Sequence, residues 1–144
     1  MQIYFQNTKQ KWHFIADGPV DSPPTCHGRL VLFGSRDGWV YCLDAQSGEL
    51  VWRFSDLPTV RLMCDSGQLE SAWPVHGSVL VHNDELHCVA GRNMFLDGGL
   101  RYLRLDPLTG ESLSETVMDE KDPLKGGSIQ KYDSWLDMTT TMPD

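Results

Sequence analysis

The stretch between residues 35 and 54 decides the fold, and it reads Ser-Arg-Asp-Gly-Trp-Val-Tyr-Cys-Leu-Asp-Ala-Gln-Ser-Gly-Glu-Leu-Val-Trp-Arg-Phe. Two turns, Arg36–Gly38 and Ala45–Gly48, each end in a glycine, which supplies the positive φ that tight hairpins need. The first turn precedes Trp39–Asp44, and the second precedes Glu49–Phe54. Both of these short segments have the apolar and aromatic side chains typical of strands. The pattern predicts an antiparallel β structure.

Working outward from this stretch adds two more strands. His27-Gly28 predicts a further turn, and Arg29–Ser35 predicts the strand that follows it. Another strand precedes His27, so residues 18–54 are expected to form four antiparallel strands. No segment of helical length shows the apolar period of 3.6 residues, so the expected class is all-β.

A second copy of the pattern follows, offset by 56 residues in its first two strands and by 62 residues in its last two. Six extra residues (62 − 56) fall in its loop Asn93–Gly99. The two-residue turn Asn83-Asp84 predicts that Leu80 lies opposite His87 and that His82 lies opposite Glu85. The aligned segments are Ser78–His82, Glu85–Arg92 and Leu100–Leu113.

A partial copy opens the chain, with Gln2–Gln6 as a third strand and Lys11–Phe14 as a fourth. Trp12 and Trp52 are 40 residues apart, within the period of roughly 40–50 residues of four-stranded propeller blades. We therefore predict an incomplete β-propeller of about two full blades plus partial ones. The predicted segments are the end of one blade (1–17), a blade (18–54), an inter-blade insertion (55–76), a blade (77–117) and a connection to a following blade (118–144).

The same residues resemble the repeat of the PQQ-like (quinoprotein alcohol dehydrogenase-like) propellers, Ala-x-Asp-x-x-x-Gly-x-x-x-Trp. Asp44, Gly48 and Trp52 match its positions, and Cys42 stands for the usual Ala. The second copy keeps Asp106 and Gly110, with Arg104 for the Ala and Ser114 for the Trp. Residues 68–75 and 90–99 resemble a bacterial subgroup of largely unassigned function. The resemblance implies a piece of a longer propeller, in the periplasm or cell envelope.

The motif residues have a physical interpretation as structural groups. Asp44 precedes a turn, and its carboxylate can accept hydrogen bonds from the backbone N–H groups of that turn. Gly48 occupies the turn position whose backbone conformation is strained for other residues. Trp52 is expected to bury its ring, on the order of 150–250 Å², against the neighbouring blade. Asp37 is likewise predicted to be a turn residue and not half of an acid/base pair.

Composition excludes several classes of protein. The 144 residues include 40% hydrophobic and 22% charged residues, which is typical of a single globular domain. No run approaches the roughly 18 apolar residues of a membrane-spanning helix. Twelve Lys and Arg against twenty Asp and Glu give a net charge of −8, which argues against nucleic acid as a partner.

Four isolated cysteines, with no Cys-x-x-Cys, argue against a zinc ribbon or a thioredoxin-like motif. They are predicted to be small buried hydrophobic residues, although two disulfides are arithmetically possible. The positions are Cys26, Cys42, Cys64 and Cys88.

No residue is nominated as catalytic. His76, His82 and His87 lie near Cys88, but zinc takes about four ligands and only Glu85 shares the face of His82 and His87, so no metal site is predicted. The resembled dehydrogenases hold PQQ and calcium beside a vicinal disulfide, and this sequence has no Cys-Cys pair. No cofactor is therefore expected. PQQ and calcium are expected only if the chain is a fragment of a dehydrogenase, the alternative given below.

Two loops are candidate binding features. Loop Arg92–Gly99 offers Arg92, Asn93, Phe95 and Asp97 as candidate binding residues. The insertion Arg61–Val75 covers either the same face of the propeller or the opposite one. The alternative is that both loops only fill the joint between blades.

The expected function is a non-catalytic propeller scaffold that presents loops to a protein or ligand. Its expected partners are the other blades of a longer propeller and proteins. One alternative is a fragment of a PQQ-dependent dehydrogenase whose cofactor site lies on blades outside this chain. Another is a half-propeller that self-assembles.

Overall fold

The computed structural model describes residues 11–55, 61–65, 67–119 and 121, which contain ten strands and no helix. The strands are β1 (Thr25–His27), β2 (Leu30–Gly34), β3 (Val40–Asp44), β4 (Leu50–Phe54), β5 (Leu62–Asp65), β6 (Gln68–Ser71), β7 (Leu80–His82), β8 (Glu85–Ala90), β9 (Leu100–Leu105) and β10 (Ser112–Met118). The all-β class is confirmed. The strand predicted at Gln2–Gln6 and most of residues 118–144 lie outside the described residues.

The first blade is the antiparallel sheet β1-β2-β3-β4. Its middle strands are buried because they are apolar on both faces, and they pair from Leu30 opposite Asp44 to Gly34 opposite Val40. The outer strand β4 is more exposed, as expected of a strand with one neighbour.

The second blade is the antiparallel sheet β7-β8-β9-β10. Leu80 pairs with His87 and His82 pairs with Glu85, as the Asn83-Asp84 turn predicted. Both turn residues have positive φ, 50° and 58°, which matches the right-handed twist of the strands they join. Residues 11–16, by contrast, form no strand, although Lys11–Phe14 was predicted to be one. A strand is defined by its ladder to a neighbour, and the neighbour predicted here lies outside the described residues.

The register between the two blades differs from the prediction by one residue. His27 pairs with Leu30, so the first turn is Gly28-Arg29 and not His27-Gly28. Gly28 has a φ of 58° and stands at the first central position, the glycine site of a type II′ turn. The first two strands are therefore offset by 55 residues (His82 − His27), and the second blade has seven extra residues (62 − 55) in its β8–β9 loop.

Two clusters of apolar side chains pack against the blades. One lies between the blades and joins the face of β2 and β3 that contains Leu32 and Cys42 to Leu86, Cys88 and Leu103 of the second blade. The other packs Trp12, Phe14, Ala16 and Val20 onto the opposite face of the first blade. There Phe33 and Tyr41 stack at 5.3 Å between ring centroids, and Phe14 contacts both rings edge-on.

The inter-blade insertion contains a hairpin that the sequence did not predict. β5 and β6 pair antiparallel up to Asp65 opposite Gln68, which leaves a two-residue turn. After β6 the chain enters the inter-blade cluster, where Ala72, Trp73 and Val75 are buried. Part of the insertion thus fills the joint between the blades. Within the described residues, no helix is long and apolar enough to cross a membrane.

Candidate functional site

The aspartates of the repeat motif organise equivalent turns. Asp44 Oδ1 accepts the backbone N–H groups of Gln46 (2.8 Å) and Ser47 (3.0 Å). Asp106 Oδ1 accepts those of Leu108 (2.7 Å) and Thr109 (3.3 Å). The backbone hydrogen bonds from Ser47 and Gln46, with the charge of Arg29, lower the pKa of Asp44 below its ordinary value. The carboxylates shape their own turns, as predicted for Asp44.

A second feature occurs twice, once between the segment before the first blade and that blade, and once between the two blades, and we call it the indole–glycine joint. Trp52 Nε1 donates to the carbonyl of Pro107 (3.1 Å), and its ring covers Gly110 so closely that an added Cβ would lie 2.6 Å from Cδ2. Trp12 Nε1 donates to the carbonyl of Ala45 (3.0 Å) and covers Gly48 in the same way. These tryptophans are therefore structural groups.

The insertion and loop Arg92–Gly99 meet at one end of the blades. Strand direction alternates in an antiparallel blade, so loop 35–39, the connection 55–79 and loop 91–99 leave from the same end, which we call the loop end. Arg61 Nη1 donates to Asp97 Oδ1 (2.9 Å), and Trp73 Nε1 donates to the Asp97 carbonyl (2.9 Å). The two features therefore cover the same face, which the sequence had left open.

A buried carboxylate connects the two blades at the loop end. Glu70 is only 2% exposed and pairs with Arg36 of the first blade (3.3 Å) and with Arg92 of the second. Such a charge is tolerated in the interior because both oxygens are paired. Arg36 also bonds Asp21 (2.6 Å), and this hydrogen bond lowers the pKa of Asp21, with a smaller contribution from His76.

A cleft of about 510 Å³ lies between the β5–β6 hairpin and the first blade. Leu62 and Leu69 expose 58% and 67% of their surface, although both are apolar. The residues that line the cleft are Asp17, Asp37, Trp39, Ser55, Arg61, Leu62, Leu69, Glu70 and Ser71.

The base of the cleft is held by hydrogen bonds from loop 35–39. Asp37 accepts the backbone N–H of Trp39 (3.0 Å) and the hydroxyl of Tyr41 (2.6 Å). Burial, followed by the hydrogen bond to Asp37, raises the pKa of Tyr41 above its ordinary value, so the phenol stays a donor. The guanidinium of Arg53 lies 4.4 Å from the ring centroid of Trp39, a cation–π contact.

The four predicted loop residues take different positions around this cleft. Arg92 and Asp97 bond the insertion and hold the loop in place. Asn93 Oδ1 accepts the Phe95 N–H (2.6 Å), which shapes the loop itself. Phe95 is 39% exposed, and none of the four lines the cleft. The sequence reasoning missed Trp39, Leu62 and Leu69. For the two leucines, the length of the insertion was the available signal.

The histidines of the second blade take part in a polar network. His87 Nδ1 lies 2.7 Å from the Tyr102 hydroxyl, and the rings of His82 and His87 are 6.5 Å apart. Glu85 binds Arg104 through both oxygens, at 2.6–2.8 Å. Among the described residues, no three His, Cys, Asp or Glu side chains form a group that could hold a metal ion.

This polar network lies on the face of the second blade that is equivalent to an apolar face of the first blade. With the corrected register, Glu85, His87, Tyr102 and Arg104 of the second blade stand where the first blade has Leu30, Leu32, Val40 and Cys42. In the first blade these residues pack against the second blade. The second blade therefore presents a polar face on the side away from the first, which we call the far face.

All four cysteines are free thiols. Cys42 and Cys88 are buried as predicted, and burial raises the pKa of each thiol to about 12. The prediction is wrong for Cys26 and Cys64, which are exposed. Cys26 lies on the terminal strand β1, and Cys64 lies on a two-stranded hairpin, so neither has a packed layer on both sides.

Comparison with known proteins supports the fold. No protein-family model matches the chain. It is 50% identical over 36 residues to the beta-alanine-activating enzyme of Danio rerio, which is 25% of this chain and 3% of that protein.

Solved structures match over more of the chain. A europium-containing methanol dehydrogenase gives a TM-score of 0.59 at 17% identity and covers 81% of this chain. The quinohemoprotein alcohol dehydrogenase from Comamonas testosteroni gives 0.56 at 20% identity and covers 74%. The chain spans only 20% and 14% of these two proteins. The described residues thus have a partial β-propeller fold of the PQQ-like type.

Proposed function

We propose that this chain is a non-catalytic propeller module that binds a protein partner at its loop end. The observation that carries the proposal is the cleft, which the β5–β6 hairpin and the first blade form around the exposed Leu62 and Leu69. Exposed apolar side chains grouped in a concave site are typical of binding surfaces, whereas scattered ones are ordinary.

The frame of the cleft supports a preformed site. Glu70 forms ion pairs with Arg36 and Arg92. Asp97 accepts hydrogen bonds from Arg61 and Trp73. These contacts hold both loops in place before any partner binds. Preformed sites lose less conformational entropy on binding than mobile ones do.

The competing proposal is a piece of a PQQ-dependent dehydrogenase. The described residues do not fit the cofactor site that the resemblance implies, since no two cysteines are adjacent and Glu70, Asp97 and Asp21 are each bonded to an arginine. We therefore include no cofactor in the proposed function. A reading frame that continues into blades with a Cys-Cys pair or a Cys-x-x-Cys-His motif would favour the dehydrogenase.

The proposal is tested by selecting binders from a random peptide library against the full chain. We expect binders whose affinity falls at least about tenfold in Leu62→Ser and in Leu69→Ser. The control is Leu108→Ser, which removes an equally exposed leucine from a turn at the opposite end of the blades. Binders that respond only to the control, or that ignore all three variants, would overturn the proposal.

A further inference from the structure

We propose, building on the function above, that the cleft takes an extended peptide segment with a basic side chain next to an apolar one. The segment pairs with the outer edge of β6 at Leu69. Its basic side chain lies at Asp37 and Asp17, and its apolar side chain lies between Leu62, Leu69 and Trp39.

The edge of β6 indicates a peptide as the ligand. Asp65 and Gln68 close a two-residue hairpin, so Met63 and Glu70 exchange the next pair of hydrogen bonds and the main-chain groups of Leu69 point away from β5. Ser71 points the same way, and its N–H donates to the Arg36 carbonyl (2.8 Å). Beyond that bond, Leu69 presents an N–H and a C=O that an added strand can use.

The charges in the cleft favour a cation. The carboxylate of Glu70 is paired with Arg36 and the guanidinium of Arg61 with Asp97, and neither partner lines the cleft. Asp37 receives hydrogen bonds from neutral donors, and among the described residues no cation pairs with it. Asp17 is 76% exposed in its side chain and has Arg53 at 3.6 Å. Asp37 thus leaves a negative charge for the ligand.

A further polar group in the wall has no hydrogen-bond partner within the described part of the chain. Ser55 Oγ is buried, and no described residue accepts or donates a hydrogen bond to it. Ser55 lines the same cleft as Asp37 and Trp39. A small shift of the wall would let this hydroxyl bond a main-chain group of a bound peptide, which would relieve the cost of burying it alone.

The first test compares three synthetic peptides by calorimetry with the full chain. The probes are acetyl-Leu-Lys-Leu-Lys-Leu-amide, the same peptide with Glu for Lys, and the Lys peptide with its central backbone nitrogen and the two next to it methylated. We expect the Lys peptide to bind at least about tenfold tighter than either of the others. Equal binding of the Lys and Glu peptides, or of the methylated peptide, contradicts the proposal.

The second test asks whether the carboxylates of Asp37 and Asp17 bind the basic side chain of the peptide. Asp37→Asn keeps an oxygen to accept the Trp39 N–H, and Asp17→Asn changes an exposed residue, so both are expected to fold, which a melting curve checks. We expect each to weaken the Lys peptide several-fold, with the larger loss at Asp37. Glu111→Gln, at the opposite end of the blades, is the matched control. Equal losses in all three variants would show nonspecific attraction and would overturn the inference.

The two proposals fail separately. If library binders depend on Leu62 and Leu69 but carry no basic residues, the cleft is a binding site and the inference about its ligand is wrong. If no binder depends on these leucines, the proposed function fails first.

Discussion

A single glycine in each of two turns decides how closely one blade approaches the next. Gly48 and Gly110 both have a φ of 75°, and each lies beneath an indole ring. The side chain must be absent for two reasons, since L residues are strained at this φ and a Cβ would enter the ring. The Asp-x-x-x-Gly spacing of the repeat therefore follows from turn geometry and from contact between blades together.

Replacing Gly110 with alanine should separate these two reasons. We expect Gly110→Ala to lower the free energy of unfolding by about 2–4 kcal/mol, from backbone strain plus the clash with Trp52. Gly28→Ala is the matched control, because Gly28 has positive φ but nothing within 4 Å of its added Cβ, and it should cost about 1 kcal/mol. Urea denaturation measures both, and equal losses would contradict the indole–glycine joint.

The buried carboxylate of Glu70 gives a second prediction. Glu70→Gln leaves Arg36 and Arg92 without their shared counter-charge, and we expect a loss of about 3 kcal/mol in the free energy of unfolding. Glu85→Gln breaks the more exposed pair with Arg104 and should cost much less. Thermal and urea unfolding of both variants decide the matter, and a Glu70 loss no larger than the Glu85 loss would show that the buried pairs are not needed.

The free thiols should divide into two classes. Cys26 and Cys64 are exposed, whereas Cys42 and Cys88 are buried with a pKa near 12. We expect a disulfide reagent at pH 8 to label the first pair at least about 100-fold faster than the second. Mass spectrometry after timed labelling checks this, with denatured protein, in which all four react, as the control. Fast labelling of Cys88 would mean that the inter-blade cluster opens readily.

At the scale of elements, the inner strands and the outer strand of a blade differ in stability. β3 is buried along most of its length and has a neighbour on each side, whereas β10 is largely exposed and, among the strands that the structure describes, pairs with β9 alone. The second blade also has Ser114 where the first has Trp52. β10 is therefore held mainly by its ladder.

Hydrogen exchange should show this difference. We expect amides of β3 to exchange only through global unfolding, and amides of β10 to exchange through local opening at a lower free energy. Amide exchange followed by NMR over a series of low urea concentrations separates the two routes. Equal protection in β3 and β10 would show that the second blade is held as firmly as the first.

The sequence predicted the strands and the two repeats because turn glycines and apolar segments are local signals. It placed the first turn one residue early, since His27-Gly28 and Gly28-Arg29 are equally plausible and only the pairing of His27 with Leu30 decides. The β5–β6 hairpin was missed because Leu62–Asp65 has no β-branched or aromatic residue. The cleft was missed because its lining comes from five separate segments that only the folded chain brings together.

At the scale of the whole molecule, the two blades differ on equivalent faces. The first blade offers an apolar surface to its neighbour, and the second offers the far face with its Glu85–Arg104 pair. The far face is thus suited to solvent or to a polar partner, although the repeat places it where a blade would stack.

Restoring the first blade's pattern should change assembly. We expect Glu85→Leu with Arg104→Val to make the chain associate at lower concentration than the unchanged chain, because it creates an apolar patch on the far face. Arg29→Val with Glu49→Leu is the control, since it also removes one charge of each sign from exposed positions. Sedimentation velocity over a concentration series reads the result, and equal association of both variants would contradict this role of the far face.

The pairing of Glu70 with one arginine from each blade has a mechanical consequence. The bond that closes the cleft wall is also a bond across the joint between the blades. A change in the angle between the blades must therefore deform the cleft, and an occupant of the cleft must resist that change. Occupancy of the cleft and the angle between the blades are therefore coupled, and the coupling runs through the carboxylate of Glu70.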